Sequence, residues 1–341
     1  IVIECLANRM GPYMPKGVYL HKVRGKATSY IMKNGKRTIT LCSASSTRAE
    51  VWTAYEAAIE KSLTKYTFKR MADEYQASAT FKELAPRSQR DRERELAMFN
   101  KVFGEMEPDT IKPHHIRRYM DIRGNTSRTQ ANHELSACSV VFGWGYERGH
   151  CKENPAKGVK KFKNKSRDRY ITDYEFNALL ECCEQRLKIA CEISYLCAAR
   201  QADVLSLKWS QVMDEGIFIQ QGKTGKKQIK AWSPRLHELI NEAKTLRKGI
   251  ASVFVINKTG GGRLTAYGLR SSWRRAIDKL ALQYPDIERT FTFHDIKAKG
   301  ISDFEGNIHD KQQFSGHKTV GQVNVYDRRT EIVPTIGSIK K

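Results

Sequence analysis

The sequence predicts a multidomain fold: a small β-sheet with one helix, then an all-helical bundle, then a mixed α/β region that is mainly helical. Three observations predict it. β-type runs around an Asn-Gly pair open the chain, apolar residues at helical spacing fill its middle, and short β-type runs interrupt the helical pattern of its last part. A length of 341 residues agrees with roughly two to three domains.

In residues 1–63 the β-type runs hold Val18, Leu20, Tyr30, Ile31, Ile39 and Leu41, with Asn34-Gly35 as a hairpin signal between two of them. Thr47 and Glu50 make a capping box that starts a helix through Val51, Tyr55, Ala58 and Ile59. Lys22, Arg24, Lys33, Lys36 and Arg37 lie among the strands. Such a basic sheet is either a solvated face or a β-ribbon that enters a DNA groove.

Residues 65–151 read as helical throughout. Phe68, Met71, Ala72 and Tyr75 share one face, and Leu96, Phe99, Val102 and Phe103 another. Helices over Ile111–Ile122 and Ala131–Tyr146 complete the bundle, and Arg90, Arg117 and Arg128 stand among the arginines of its polar faces. Residues 152–169 then form a linker with eight basic and two acidic residues, Lys160, Lys161, Lys163 and Lys165 included. It suits either a plain connector or a basic strap along phosphates.

The region 170–341 opens with a capping box, Thr172 to Glu175, and a helix to about Cys183; an apolar helix covers Leu187–Leu196. β-type runs follow at Gly216–Gln220, Gln228–Trp232 and Val253–Ile256, and helices return at Thr265–Leu282 and from His294 onward.

Sixty Lys plus Arg against 37 Asp plus Glu leave a net charge of +23. That surplus calls for an anionic partner, and basic residues spread along the whole chain fit nucleic acid better than a membrane surface. No apolar run approaches the ~18 residues of a membrane span, and Ile1–Ala7 is too short for a signal peptide. The eight Cys show no C-x-x-C and no framework spacing, which points to reduced thiols in a cytoplasm rather than disulfides or structural zinc. Gly222-Lys223-Thr224 looks like the end of a phosphate-binding P-loop, but the first Gly of that motif would fall at Ile217, inside a β-type run.

A better pattern spreads over the last part of the chain. Arg200 ends an apolar helix with Asp203 three residues on, and Lys223 sits in a β-hairpin. His294 and Lys297 lie one helical turn apart, Ser315-Gly316-His317 follows, and Tyr326 comes nine residues after that His. Each residue has an ordinary reading: a helix-end Arg paired with Asp203, a hydrated hairpin Lys, structural histidines, a packed aromatic.

As an ordered set these residues resemble the tyrosine recombinases, the phage integrase family, over about Lys65 to Arg328. The resemblance implies a helical core-binding domain, a mixed and mainly helical α/β catalytic domain of the tyrosine recombinase type, and an arm-type DNA-binding domain at residues 1–63. It implies that Tyr326 is the nucleophile forming a 3′-phosphotyrosine, that Arg200 grips non-bridging oxygens, and that Lys223 protonates the departing 5′-oxygen. His294 would be the acid–base residue, His317 a phosphate donor and Asp203 the residue orienting Arg200. Lys297 stands where the family has a second Arg, and it keeps the charge but not the bidentate fork. No metal, ATP or other cofactor is implied. The partners implied are double-stranded attachment-site DNA, a homotetramer on that DNA and DNA-bending accessory proteins, in a bacterial cytoplasm. The tail from Asp327, with Ile332, Val333 and Ile336, is expected to pack on a neighbouring protomer.

The alternatives are a non-catalytic DNA-binding regulator, indifferent to Tyr326→Phe, and a type IB topoisomerase-like enzyme relaxing any plasmid. A metal-dependent nuclease using His294, His309 and His317 is disfavoured because carboxylates do not cluster with them in the sequence.

Overall fold

The computed structural model describes residues 14–34, 37–164, 166–246, 249, 251–330, 333, 335 and 336. Lys36, Lys165 and Ile332 lie outside the described residues, and so do the side chains of Lys33 and Arg37. The chain divides into two compact units at Asn164/Lys165.

The first unit starts with an antiparallel meander, β1 (Val18–Val23), β2 (Lys26–Asn34) and β3 (Arg37–Ser43). Two-residue connections fix both registers, with Val23 opposite Lys26 and Asn34 opposite Arg37. Arg24 and Gly25 both have positive φ, 48° and 79°, the backbone that matches a tight hairpin to strand twist. Helix α1 (Arg48–Thr64) begins at the Thr47–Glu50 capping box and covers the sheet, burying Val51 with Val18 and Met32.

The helical part of this unit comprises α2 (Phe68–Ala77), α3 (Ala79–Lys82), α4 (Pro86–Phe103) and α5 (Pro113–Glu147). Phe68, Met71, Tyr75, Leu96, Phe99 and Phe142 form its core. Val102 is not among them: it is 56% exposed, since the face that buries Leu96, Phe99 and Phe103 leaves it at the rim. α5 holds the two helices that the sequence suggests around Ile111–Ile122 and Ala131–Tyr146, run together across a kink. Its break is at Ser127 (φ −160°, ψ 105°), whose hydroxyl accepts from the Gln130 N–H at 3.3 Å and so caps the second half. The buried Glu134 braces the bend, accepting from Tyr119 Oη at 2.6 Å and from the Arg123 guanidinium at 2.9 Å. Residues through Asn164 are laid on α5: the Asn132 amide bonds both the N–H and the carbonyl of Phe162, at 2.8 and 2.9 Å.

The second unit runs α6 (Asp173–Cys182), α7 (Gln185–Leu196), α8 (Gln201–Ser206), β4 (Gly216–Gln220), β5 (Lys227–Ala231), α9 (Pro234–Leu246), α10 (Ala266–Gln283), α11 (Phe293–Asp303), α12 (Ile308–Ser315) and α13 (Val320–Asn324). β4 and β5 form an antiparallel hairpin. The expected strand at Val253–Ile256 is not a third member; that segment makes an isolated bridge, Lys208 to Phe254, beside α8. Ile193, Val204, Ile217, Leu239, Leu280 and Ile296 typify the main core of the unit, and Ala198, Ile301 and Val323 form a smaller one beside α12 and α13. α11 crosses α7 at Gly300, where a Cβ would overlap the carbonyl oxygen of Tyr195; only glycine allows that approach. No helix of the described residues is long and apolar enough to cross a membrane.

Candidate active site

The junction of α7 and α8, the first turn of α11 and the segments after α12 and α13 supply the site, with the hairpin beside it. α7 stops in a turn in which Ala198 has φ +49°, a left-handed backbone costing a residue with a Cβ about 1 kcal/mol. The turn swings Arg200 out to begin α8, where its Nη1 donates to Gln221 Oε1 at 2.6 Å. Asp203 does not pair with Arg200 in the way the sequence suggests. Its carboxylate accepts the Gly222 N–H at 2.9 Å, because α8 points it at the start of the hairpin turn.

α11 begins at Thr292, whose hydroxyl and N–H both donate to Asp295 Oδ2 at 2.8 Å. One turn places His294 at the exposed rim and Lys297 beneath it, only 1% exposed. α12 ends at Gly316, φ +68°, and the chain turns to seat His317 with its Nδ1 at 2.8 Å from Ser315 Oγ. After α13, Tyr326 folds back over these groups. Its hydroxyl is 3.2 Å from His294 Nε2, its ring stacks on His317 at 4.8 Å between centroids, and Lys297 Nζ lies 5.7 Å from the ring centre.

Cations dominate the site, opposed by the carboxylates of Asp203 and Asp295. Lys297 Nζ and His317 Nε2 are buried with no hydrogen-bond partner among the described residues. Burial, with the charges of Arg200 and Lys230, lowers Lys297 to about 7. Burial, then Lys297 and Arg200, lowers His317 to about 4. His294 is also depressed, by desolvation and by Lys297, Arg328 and Arg200 against the opposing pull of Asp295. Orphaned buried nitrogens among cations make a site suited to an anion with several oxygens. Among the described residues no group of three His, Cys, Asp or Glu could hold a metal ion.

Residues 169–331 match the model of the phage integrase family. That stretch of the chain resembles the phage integrase family. The integrase of Enterobacteria phage 434 is 24% identical over 203 residues, 56% of this chain and 56% of that protein, so the chain spans about half the length of that relative. A lambda integrase dimer bound to a COC′ core site matches with a TM-score of 0.70 at 19% identity, covering 81% of this chain and all of that one. A lambda integrase tetramer bound to a Holliday junction matches with a TM-score of 0.68 at 16% identity, covering 94% and 98%. These structural matches agree with the fold described: a small N-terminal sheet and a mainly helical body.

Five of the six expected residues, Arg200, His294, Lys297, His317 and Tyr326, fall in one cluster. Lys223 stands apart, exposed on the turn between β4 and β5, two residues from the Gln221 that holds Arg200. In the first unit, Lys22, Arg24, Arg90, Lys160, Lys161 and Lys163 are exposed. Arg117 is engaged within the fold, bonded to Asp121 and to the Lys160 carbonyl, its guanidinium 4.9 Å from the Phe162 ring. Arg128 is 5.8 Å from the same ring.

Several residues beside the site carried no sequence signal. Gln221 and Lys230 read as ordinary strand-end and strand polar residues, yet both are turned inward. Arg328 is bonded to the buried Asp295 at 2.6 Å, and Arg167 reaches the same carboxylate at 2.9 Å. The position of Arg328, two residues past Tyr326, was the one available clue.

Proposed function

We propose that this chain is a site-specific DNA recombinase that cleaves and rejoins duplex DNA through a 3′-phosphotyrosine on Tyr326, without metal or ATP. The carrying observation is the Tyr326 hydroxyl, 3.2 Å from His294 Nε2, set over two unpartnered donors. His294, kept largely neutral, accepts the phenolic proton as the tyrosine oxygen attacks phosphorus in line. The P–O5′ bond breaks, and Lys223 delivers a proton to the departing oxygen. Arg200, Lys297 and His317 hold the non-bridging oxygens, with Ser315 Oγ donating to His317 Nδ1 so that Nε2–H faces the phosphate. The ester conserves the bond, and a 5′-hydroxyl reverses the step to reseal a strand.

Residues up to 63 would bind arm-type sites, 65–151 and the basic stretch 152–169 would grip the core site, and 170–341 would cut. The Holliday-junction tetramer of lambda integrase supports assembly of four copies on DNA, with the tail from Asp327 packing on a neighbour. Val333 and Ile336 of that tail are exposed, at 69% and 107%. Accessory bending proteins and a cytoplasmic site of action complete the reading.

The test is covalent capture. Nicked duplexes drawn from a random-core pool are incubated with the protein, denatured and probed for a DNA adduct. Wild type traps product on Tyr326 and Tyr326→Phe traps none; an adduct on another side chain, or no adduct, rejects the proposal.

A further inference from the structure

Three consecutive carbonyls end α12 just ahead of His317, and each is taken by a side chain of the β4–β5 hairpin. Gln228 Nε2 donates to the Gln313 carbonyl at 2.6 Å, Lys230 Nζ to that of Phe314, and Gln221 Nε2 to that of Ser315 at 2.9 Å. The last carbonyls of a helix have no partner within it, and a cation there also meets the negative end of the peptide dipoles. A Cβ on Gly316 would lie 2.6 Å from both Gln221 Nε2 and Gln228 Oε1. The turn that aims His317 is therefore seated against those same amides. On its other side, Gln221 Oε1 accepts from Arg200 Nη1 at 2.6 Å and from Thr224 Oγ1 at 3.0 Å. Lys230 Nζ sits 4.8 Å from the Phe314 ring centre, and its charge is felt by Lys297.

We infer that Gln221, Gln228 and Lys230 are positioning residues that lock His317 and Arg200 to the hairpin carrying Lys223, so that the groups serving one phosphate shift together. A simple helix cap would stabilise the fold without governing what His317 does. The inference rests on the phosphoryl-transfer reading of the site, but the clamp has a readout of its own.

Lys230→Met is expected to slow covalent capture of a nicked duplex at saturating DNA by about 10-fold, with duplex affinity unchanged, and Lys230→Arg to restore most of the rate. In a His317→Ala background Lys230→Met should cost less than about twofold, because its effect passes through His317. Gln228→Leu, at a half-exposed position, is the second variant should Lys230→Met fail to fold. By NMR, the titration of the His317 imidazole should move from about 4 toward its ordinary 6.5 in Lys230→Met or Gln228→Leu. An unmoved midpoint, or losses that add in the double variant, overturns the inference. If wild type shows no Tyr326-dependent capture, the phosphoryl-transfer reading fails instead, and the imidazole titration alone decides the clamp.

Discussion

Arg328 donates to the carboxylate of Asp295 at 2.6 Å, with the two side chains 5% and 0% exposed. One ion pair thus ties the segment that follows Tyr326 to the first turn of the helix bearing His294 and Lys297. Burial pushes the Asp295 carboxyl up, but the bonds from Arg328, Arg167 and Thr292 outweigh it and hold the group below its ordinary range.

Arg328→Met should therefore cost about 3 kcal/mol in chemical denaturation, the penalty for leaving a buried charge short of a partner. Arg167, 49% exposed, compensates only in part. Covalent capture should fall with it, because Tyr326 loses its tether. A stability change under about 0.5 kcal/mol, within the range of a neutral surface substitution, would contradict this account of the pair.

Lys297 gives two pH-dependent outcomes. Folded, it binds its proton only below about 7, against 10.5 ordinarily, so between those values the unfolded chain holds more protons and native stability rises with pH. Lys297→Met should flatten that rise and raise the melting temperature at pH 6 by roughly 5 °C. Capture, in contrast, needs the cation, so its rate should fall on the alkaline side. Lys297→Arg, which stays charged, should carry that limb upward by about one pH unit or more. An unchanged limb would show that Lys297 does not serve the phosphate.

Gly300→Ala should be disproportionately harmful for a single methyl. The added carbon meets the Tyr195 carbonyl of α7, and neither backbone can yield without moving α11. A loss of about 3 kcal/mol is expected, with slower capture because His294 and Lys297 travel with the helix. Wild-type melting behaviour would mean that the crossing is looser than it looks.

The exposed and engaged cations of the first unit should separate in salt titrations of DNA binding. Lys161→Ala should lower the slope of log affinity against log salt by about 1 and leave stability alone. Arg117→Ala should instead reduce stability, since its guanidinium packs on Phe162 and bonds Asp121. Equal slope changes from both would assign Arg117 to the phosphates.

Much of the second unit was legible because its signals are local. A spacing of three puts His294 and Lys297 one turn apart, and Thr172 with Glu175 announces a helix start on its own. The hairpin β4–β5 showed as two β-type runs around a Gly-containing turn. What escaped depends on partners far along the chain. Val253–Ile256 has strand composition, yet only Lys208 offers it a bridge. α9 went unread although Leu236, Leu239, Ile240 and Ala243 keep helical spacing and are buried. Asp203 looked like the mate of Arg200, three residues away, but a residue nineteen positions later takes it. The inward turn of Gln221 and Lys230 answers two carbonyls contributed by α12, those of Ser315 and Phe314.

A helix interrupted at a serine would ordinarily behave as a joint, free to open and close. In α5 the two arms meet at Glu134, which receives one bond from a phenol and others from a guanidinium, all reaching across from the arm before the break. The element thus serves as a rigid bracket of fixed angle. Mutating Glu134 would unfreeze that angle, converting a strut of the bundle into a swivel while leaving both arms helical.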